Sequence, residues 1–143
     1  MSATTITPYL FFAGRCEEAI NFYREALGAQ LDTILRFHES PEPTPPGMLQ
    51  AGFEHKVMHA AFRIGNACLF ASDGCDDKSK FDGFRLALTF PAEAEARTAF
   101  NALAVGGSIQ LPLSRTFWSP CYGMVTDKFN LGWMVMVPGD HTS

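Results

Sequence analysis

Apolar side chains change their spacing several times along the chain, and those changes mark its elements. Residues 5–12 close on Tyr9-Leu10-Phe11-Phe12, an apolar run short enough for a strand. Over residues 17–27, Ile20, Tyr23 (with Phe22 beside it) and Leu27 recur at helical spacing. Glu17 and Glu18 favour the positive end of that helix, and Gly28 supplies its stop. Residues 30–37 alternate and predict a second strand, whereas four prolines within residues 39–47 forbid regular structure and open a loop running to about residue 56. Residues 57–64 and 67–72 predict a hairpin around Gly65-Asn66, a pair that tolerates positive φ. Beyond a charged, glycine-containing linker at about residues 74–82, the pattern predicts a strand over 84–90, a helix over 92–105 and a strand over 108–111. A loop over 112–120 and strands at 122–126 and 131–137 complete the chain.

The same order is therefore written twice. The segment Ala19-Ile20-Asn21-Phe22-Tyr23 leading to Gly28 is echoed 78 positions later by Arg97-Thr98-Ala99-Phe100-Asn101 leading to Gly106. Each copy reads β-α-β-β-β, one over about residues 4–73 and the other over about 83–138. At 143 residues and 47% hydrophobic, the chain suits a single α+β domain with material for a core. Two similar modules in one small domain share a core, and a cleft between them is a natural place for a ligand.

Composition removes several function classes. A net charge of -4 with no concentrated cluster of Lys and Arg argues against nucleic acid as partner, since phosphate binding needs a basic face. No apolar run approaches the roughly 20 residues that span a bilayer, and Met1-Ser2-Ala3-Thr4-Thr5 lacks the features of an export signal. A cytoplasmic protein is expected. Cys16, Cys68, Cys75 and Cys121 sit at irregular distances without a C-x-x-C pair, which reads as four reduced thiols and no zinc site.

Several separated motifs then fall in a recognisable order: Pro8-Tyr9-Leu10-x-Phe12-x-Gly14, Glu18-Ala19-Ile20-x-Phe22-Tyr23, Leu27-Gly28-Ala29 and Met58-His59-Ala60. Phe117-Trp118, Tyr122-Gly123, Asp127-x-Phe129 and Trp133 follow. Together they resemble the PhnB-like branch of the vicinal oxygen chelate (glyoxalase/bleomycin-resistance) superfamily, over nearly the whole chain. The resemblance implies two βαβββ modules forming a curved mixed sheet, and a homodimer. It implies little about the reaction, because that superfamily hosts isomerases, dioxygenases, thiol transferases and drug-sequestering proteins on one scaffold. A methyltransferase label attached to the branch finds no glycine-rich nucleotide loop here. Relatives that use a metal hold it at four strand positions, two per module. Carried over by register, those positions are Thr7 (or Pro8), Phe70, Arg85 and Met134. Phenylalanine and methionine suit no hard ion and arginine repels one, so no metal and no cofactor is expected.

Strand alternation sorts the remaining side chains by face. Tyr9, Phe11, His59, Arg63, Phe70, Arg85 and Met134 are expected to face the cleft, with Trp118 in the loop that could cap it or meet a partner subunit. Trp133 has the opposite parity and belongs to the core, Asp127 serves the turn before it, and His38, His55 and His141 lie in or beside loops. Such a lining suits a small organic anion, with rings and thioethers covering its body and arginine pairing its charge. His59 reads either as an acid-base group, because imidazole titrates near neutrality, or as a structural or ligand-binding residue. Arg85 reads as an anion anchor or as the ion-pair partner of Asp82 or another acid. The expected function is small-molecule binding without metal. The alternatives are a metal-independent isomerase or lyase using His59, and a metalloenzyme with ligands relocated to Glu54, His55, His59 or Asp73.

Overall fold

A computed structural model describes residues 3–139, so Met1, Ser2 and the loop histidine His141 lie outside the described residues. The chain divides into two compact units, residues 1–80 and 81–143. The first unit holds β1 (Tyr9–Phe11), α1 (Cys16–Leu27), β2 (Gln30–Arg36), β3 (Val57–Ile64) and β4 (Ala67–Ser72). The second holds β5 (Leu86–Thr89), α2 (Glu93–Ala104), β6 (Ser108–Ser114), β7 (Cys121–Thr126) and β8 (Gly132–Val137). Each unit is one four-stranded mixed sheet, ordered β1-β4-β3-β2 and β5-β8-β7-β6, with one helix. The first strand of each runs parallel to the last and the other pairs are antiparallel.

Several boundaries differ from the pattern reading. The fifth strand runs only Leu86–Thr89 where the pattern predicts 84–90, so Arg85 lies outside it. Three other differences have local reasons. The first strand is only three residues long, because Pro8 has no N–H to give the ladder and contributes only its carbonyl, to the Phe70 amide. The sixth strand runs through Pro112 to Ser114 rather than stopping at residue 111. It lies at the edge of its sheet, where a proline can point its missing donor outward. The second helix ends at Ala104, one residue earlier than expected, because Val105 is already extended ahead of the left-handed Gly106. The first helix does end on glycine: Gly28 has φ 69°, its amide bonds to the Arg24 carbonyl, and the Ala29 amide reaches back to Tyr23.

The helices cover one face of each sheet. Cys16, Ala19, Ile20 and Tyr23 form the buried stripe of α1, and the Tyr23 ring stacks on Phe62 at 6.3 Å and 12°. In α2 the stripe is Ala96, Ala99, Phe100 and Leu103. The buried stripes therefore correspond with Phe100 in the role of Ile20, not of Phe22, which is half-buried. Gly123 makes the second packing possible, since a Cβ there would sit 2.9 Å from the Phe100 ring. Trp133 is 1% exposed in that core.

Two buried carboxylates close the loops. Asp73 accepts from the Cys16 amide through one oxygen and the Val57 amide through the other, both at 2.7 Å, tying the start of α1 to the start of β3. Asp127 accepts from the Phe129 and Leu131 amides and from the Trp133 indole N–H at 2.8 Å, so it anchors the core tryptophan as well as its turn. Replacing Asp73 by alanine leaves two buried amides without acceptors, at about 1–3 kcal/mol each. Urea unfolding of Asp73→Ala should show a loss of about 2–5 kcal/mol, with a smaller loss for Asp73→Asn. A change below about 1 kcal/mol would rule out the tie as a principal support of the first unit.

Candidate functional site

With one face of each sheet under its helix, the opposite face is left to present side chains. On the first sheet, register places Tyr9 beside Phe70 and Phe70 beside Ala61, with His59 two residues along β3. The rings gather into one cluster. Tyr9 stacks on Phe11 at 4.9 Å and 11° and meets Phe70 edge-on at 5.8 Å, while His59 lies 5.1 Å from Phe70. Tyr9 and Phe11 remain 43% and 42% exposed, an uncommon condition for two adjacent rings on a sheet.

The Tyr9 hydroxyl and His59 Nδ1 are 2.9 Å apart. Burial, with the neighbouring Cys16 adding to it, pushes the Tyr9 phenol above its ordinary value. The phenol thus stays protonated through the neutral range and can donate to Nδ1, leaving the ring hydrogen of neutral His59 on Nε2. In the reverse arrangement Nδ1–H donates to the phenol oxygen and Nε2 becomes the acceptor. The pair therefore can offer either a donor or a base towards the ring cluster.

Arg63 stands on the same face, but its charge is already matched. Its Nε lies 2.9 Å from Asp32, and its Nη2 reaches Gln30 at 2.8 Å and Asp32 at 3.1 Å. Two cavities of this unit lie away from the ring cluster. One of about 440 Å³ sits under the proline-rich loop, lined by Phe37, His38, Pro43, Pro45 and Glu54 among others. Another of about 490 Å³ flanks the start of α1, where Glu17 pairs with Arg36 at 2.9 Å. The hydrogen bond from Arg36 holds the Glu17 carboxyl below the usual range.

On the second sheet the open face carries Ala87 and Thr89 of β5, Met134 and Met136 of β8, and Tyr122 and Met124 of β7, with Met124 directly opposite Met134. Arg85 lies just before β5. Its side chain runs across Gly132, where a Cβ would sit 3.0 Å from both its Cγ and its Nη1. Nη1 donates to the Val125 and Trp133 carbonyls at 3.2 and 3.4 Å, and Nη2 touches Gln110 at 3.5 Å. These partners are neutral. Among the described residues no carboxylate pairs with Arg85, so the Asp82 alternative is not the arrangement adopted. At the other end of the face Trp118 packs edge-on against Tyr122 at 4.4 Å. The Thr116 hydroxyl accepts from the Trp118 and Ser119 amides and so shapes the loop that presents Trp118.

Pattern reading overlooked Gln110, Tyr122, Met124 and Gly132. A glycine inside a strand signals close approach of another group, and that signal was present at Gly132. The partners of Gln110 were not legible, because they depend on the irregular register between β6 and β7.

The positions expected from strand register to correspond to the relatives' metal ligands are Thr7 (or Pro8), Phe70, Arg85 and Met134. Their donor set does not fit a divalent ion: a ring and a thioether offer nothing suitable, and a guanidinium repels it. The relocated set fits no better. Both oxygens of Asp73 are taken by backbone amides, and His55 lies edge-on to His38 at 4.8 Å rather than beside His59. Among the described residues no group of three or more His, Cys, Asp or Glu is placed to hold a metal.

The family model of the Glyoxalase/Bleomycin resistance protein/Dioxygenase superfamily matches residues 5–135. The chain is 36% identical over 140 residues to Protein YjdN of Escherichia coli (strain K12), covering 92% of this chain and 94% of that one. The crystal structure of protein PA1353 from Pseudomonas aeruginosa is 41% identical with a TM-score of 0.83, over 96% of this chain and all (100%) of that one. The PhnB protein from Bacillus cereus is 28% identical with a TM-score of 0.77, over 94% and 99% of the two chains.

The Tyr9–His59 pair has a signature in alkali. Because the folded phenol titrates above its ordinary value, its contribution to stability is complete below the ordinary phenol pKa and is lost as pH rises through the folded value. Tyr9→Phe should remove one late-titrating phenol from the ultraviolet absorbance titration and cost at most about 1 kcal/mol at neutral pH. If the phenol lost in Tyr9→Phe is instead one that titrates at the ordinary value, Tyr9 is not held in this arrangement.

Proposed function

The chain belongs to the Glyoxalase/Bleomycin resistance protein/Dioxygenase superfamily, in its PhnB-like branch, and we propose that it is a small-molecule-binding protein whose ligand is an organic anion with an apolar or aromatic body. One observation carries this reading. Arg85 is a guanidinium fixed on neutral carbonyls and matched by no carboxylate among the described residues. A fixed positive charge on a partly shielded face favours an anion, and the thioethers on the same sheet face favour a ligand with an apolar body. Within the second unit Trp118 and Met134 offer the apolar contact, and the first unit, taken by itself, offers a separate stacking surface of Tyr9, Phe11 and Phe70. Arg63 takes part only if ligand displaces Asp32. No cofactor enters this reading.

A homodimer belongs to the same reading, supported by the two strands in each sheet that are bonded on one side only. A reducing, cytoplasmic setting suits the four cysteines, none of which is in a disulfide. Among the described residues no helix is long and apolar enough to cross a membrane.

The test is a thermal-shift screen of aryl carboxylates with and without Mg²⁺, Mn²⁺ and Zn²⁺. A carboxylate at a hundredfold excess over its Kd should stabilise the protein by about 2.7 kcal/mol without any metal, and Arg85→Gln should abolish the shift. Stabilisation that appears only with a divalent ion would overturn the proposal.

The Tyr9–His59 contact favours a second reading, a metal-independent isomerase or lyase in which His59 moves a proton on the ligand. Where a turned-over compound is found, His59→Ala should lower kcat by about a hundredfold or more while leaving binding within a few fold. Undiminished turnover in that variant would remove His59 from the chemistry.

A further inference from the structure

Resting on the anion reading above, we infer that the open face of the second sheet is a track for an elongated carboxylate with an aromatic end. Arg85 takes the head group, the thioethers of Met124 and Met134 line the middle, and the Trp118–Tyr122 pair receives the ring.

The head-group end is built by close approach. Gly132 leaves room for the Arg85 side chain to lie flat over β8, and the Val125 and Trp133 carbonyls then hold Nη1. That uses one corner of the guanidinium. The Nε–H has no acceptor among the described residues, and Nη2 meets only Gln110 Oε1, at 3.5 Å, the outer limit of a hydrogen bond. Gln110 Oε1 is itself held at 2.8 Å by the Thr126 hydroxyl. The Nε–Nη2 edge is the fork that grips a carboxylate with two parallel bonds, so it is presented with its orientation already set.

The remainder of the face determines ligand shape. Register runs Ala87 beside Met134 and Thr89 beside Met136, with Tyr122 opposite Met136. Arg85, just before β5, and Thr89 at its end are four residues apart, a distance on the order of 13 Å at the usual extended rise. No charge stands between them on the paired positions, only small side chains on β5 and flexible, polarisable methionines on β7 and β8. At the far end the Trp118 ring, half-buried and set edge-on against Tyr122, offers a face for stacking. A short anion reaches only the arginine; a longer one reaches both ends.

The experiment is a calorimetric titration of the full chain with phenylacetate, phenylbutyrate, phenylhexanoate and phenyloctanoate, with phenylhexanol as the uncharged control. Affinity should rise by about tenfold or more from phenylacetate to the member that reaches Trp118, and the alcohol should bind at least about tenfold more weakly than its acid. Gly132→Ala, which pushes the guanidinium off β8, should weaken every carboxylate while leaving the alcohol unchanged. Arg85→Lys should fall between wild type and Arg85→Gln, because it keeps the charge and loses the fork. Trp118→Ala should remove the gain of the long members only, and circular dichroism confirms that each variant folds. If all the carboxylates bind alike and still need Arg85, the track is wrong and the anion reading survives. If none binds in an Arg85-dependent way, both fall.

Discussion

One helix per four-stranded sheet is the constraint from which the rest follows. A twelve-residue helix such as α1 or α2 covers one face of its sheet and no more, so the core gathers on that side. Tyr23 against Phe62 fills it in the first unit, and Phe100 over Gly123 fills it in the second. Strand alternation then sends every second side chain the other way, onto a face that the unit's own helix does not cover. Those side chains are free to be chosen for ligand rather than for stability. In this chain they include rings, one imidazole and an ion-paired guanidinium in the first unit, and thioethers, the Tyr122 ring and one guanidinium without a carboxylate partner among the described residues in the second.

Two buried aspartates allow that division of labour to persist. Asp73 joins helix to strand through backbone amides, and Asp127 joins turn to core through Trp133. Both are carboxylates that a pattern reading could offer to a metal, and both are spent on amides and an indole. Charge available for recognition lies elsewhere. Of the two arginines on the open faces, Arg63 is neutralised by Asp32 and Arg85 is held only by neutral groups. Two residues of the same type, both expected to meet a ligand, thus differ in what they can still do.

Family membership and the site's chemistry point in complementary directions. The superfamily supplies the scaffold, and the positions expected to correspond to its metal ligands are Thr7 (or Pro8), Phe70, Arg85 and Met134. The Arg85 guanidinium places a positive charge on the second sheet without an ion. Recognition of a negatively charged oxygen can then proceed through hydrogen bonds of fixed direction instead of coordination.

The repeat, the element order and the face of each strand residue were legible in the sequence, because helix and strand periodicities are local and the turns carry Gly65-Asn66, Gly28 and the prolines that mark them. Tyr9, Phe11, His59, Phe70, Arg85 and Met134 could be assigned to open faces by counting alone. What those residues touch was decided only by tertiary structure. Whether Arg85 met Asp82 or stood unmatched depended on Gly132 passing beneath it, and the partnership of Arg63 with Asp32 depended on an irregularity in β2. Pairing of this kind joins residues from different strands, and its register is set by bulges and edges that no single stretch of sequence encodes.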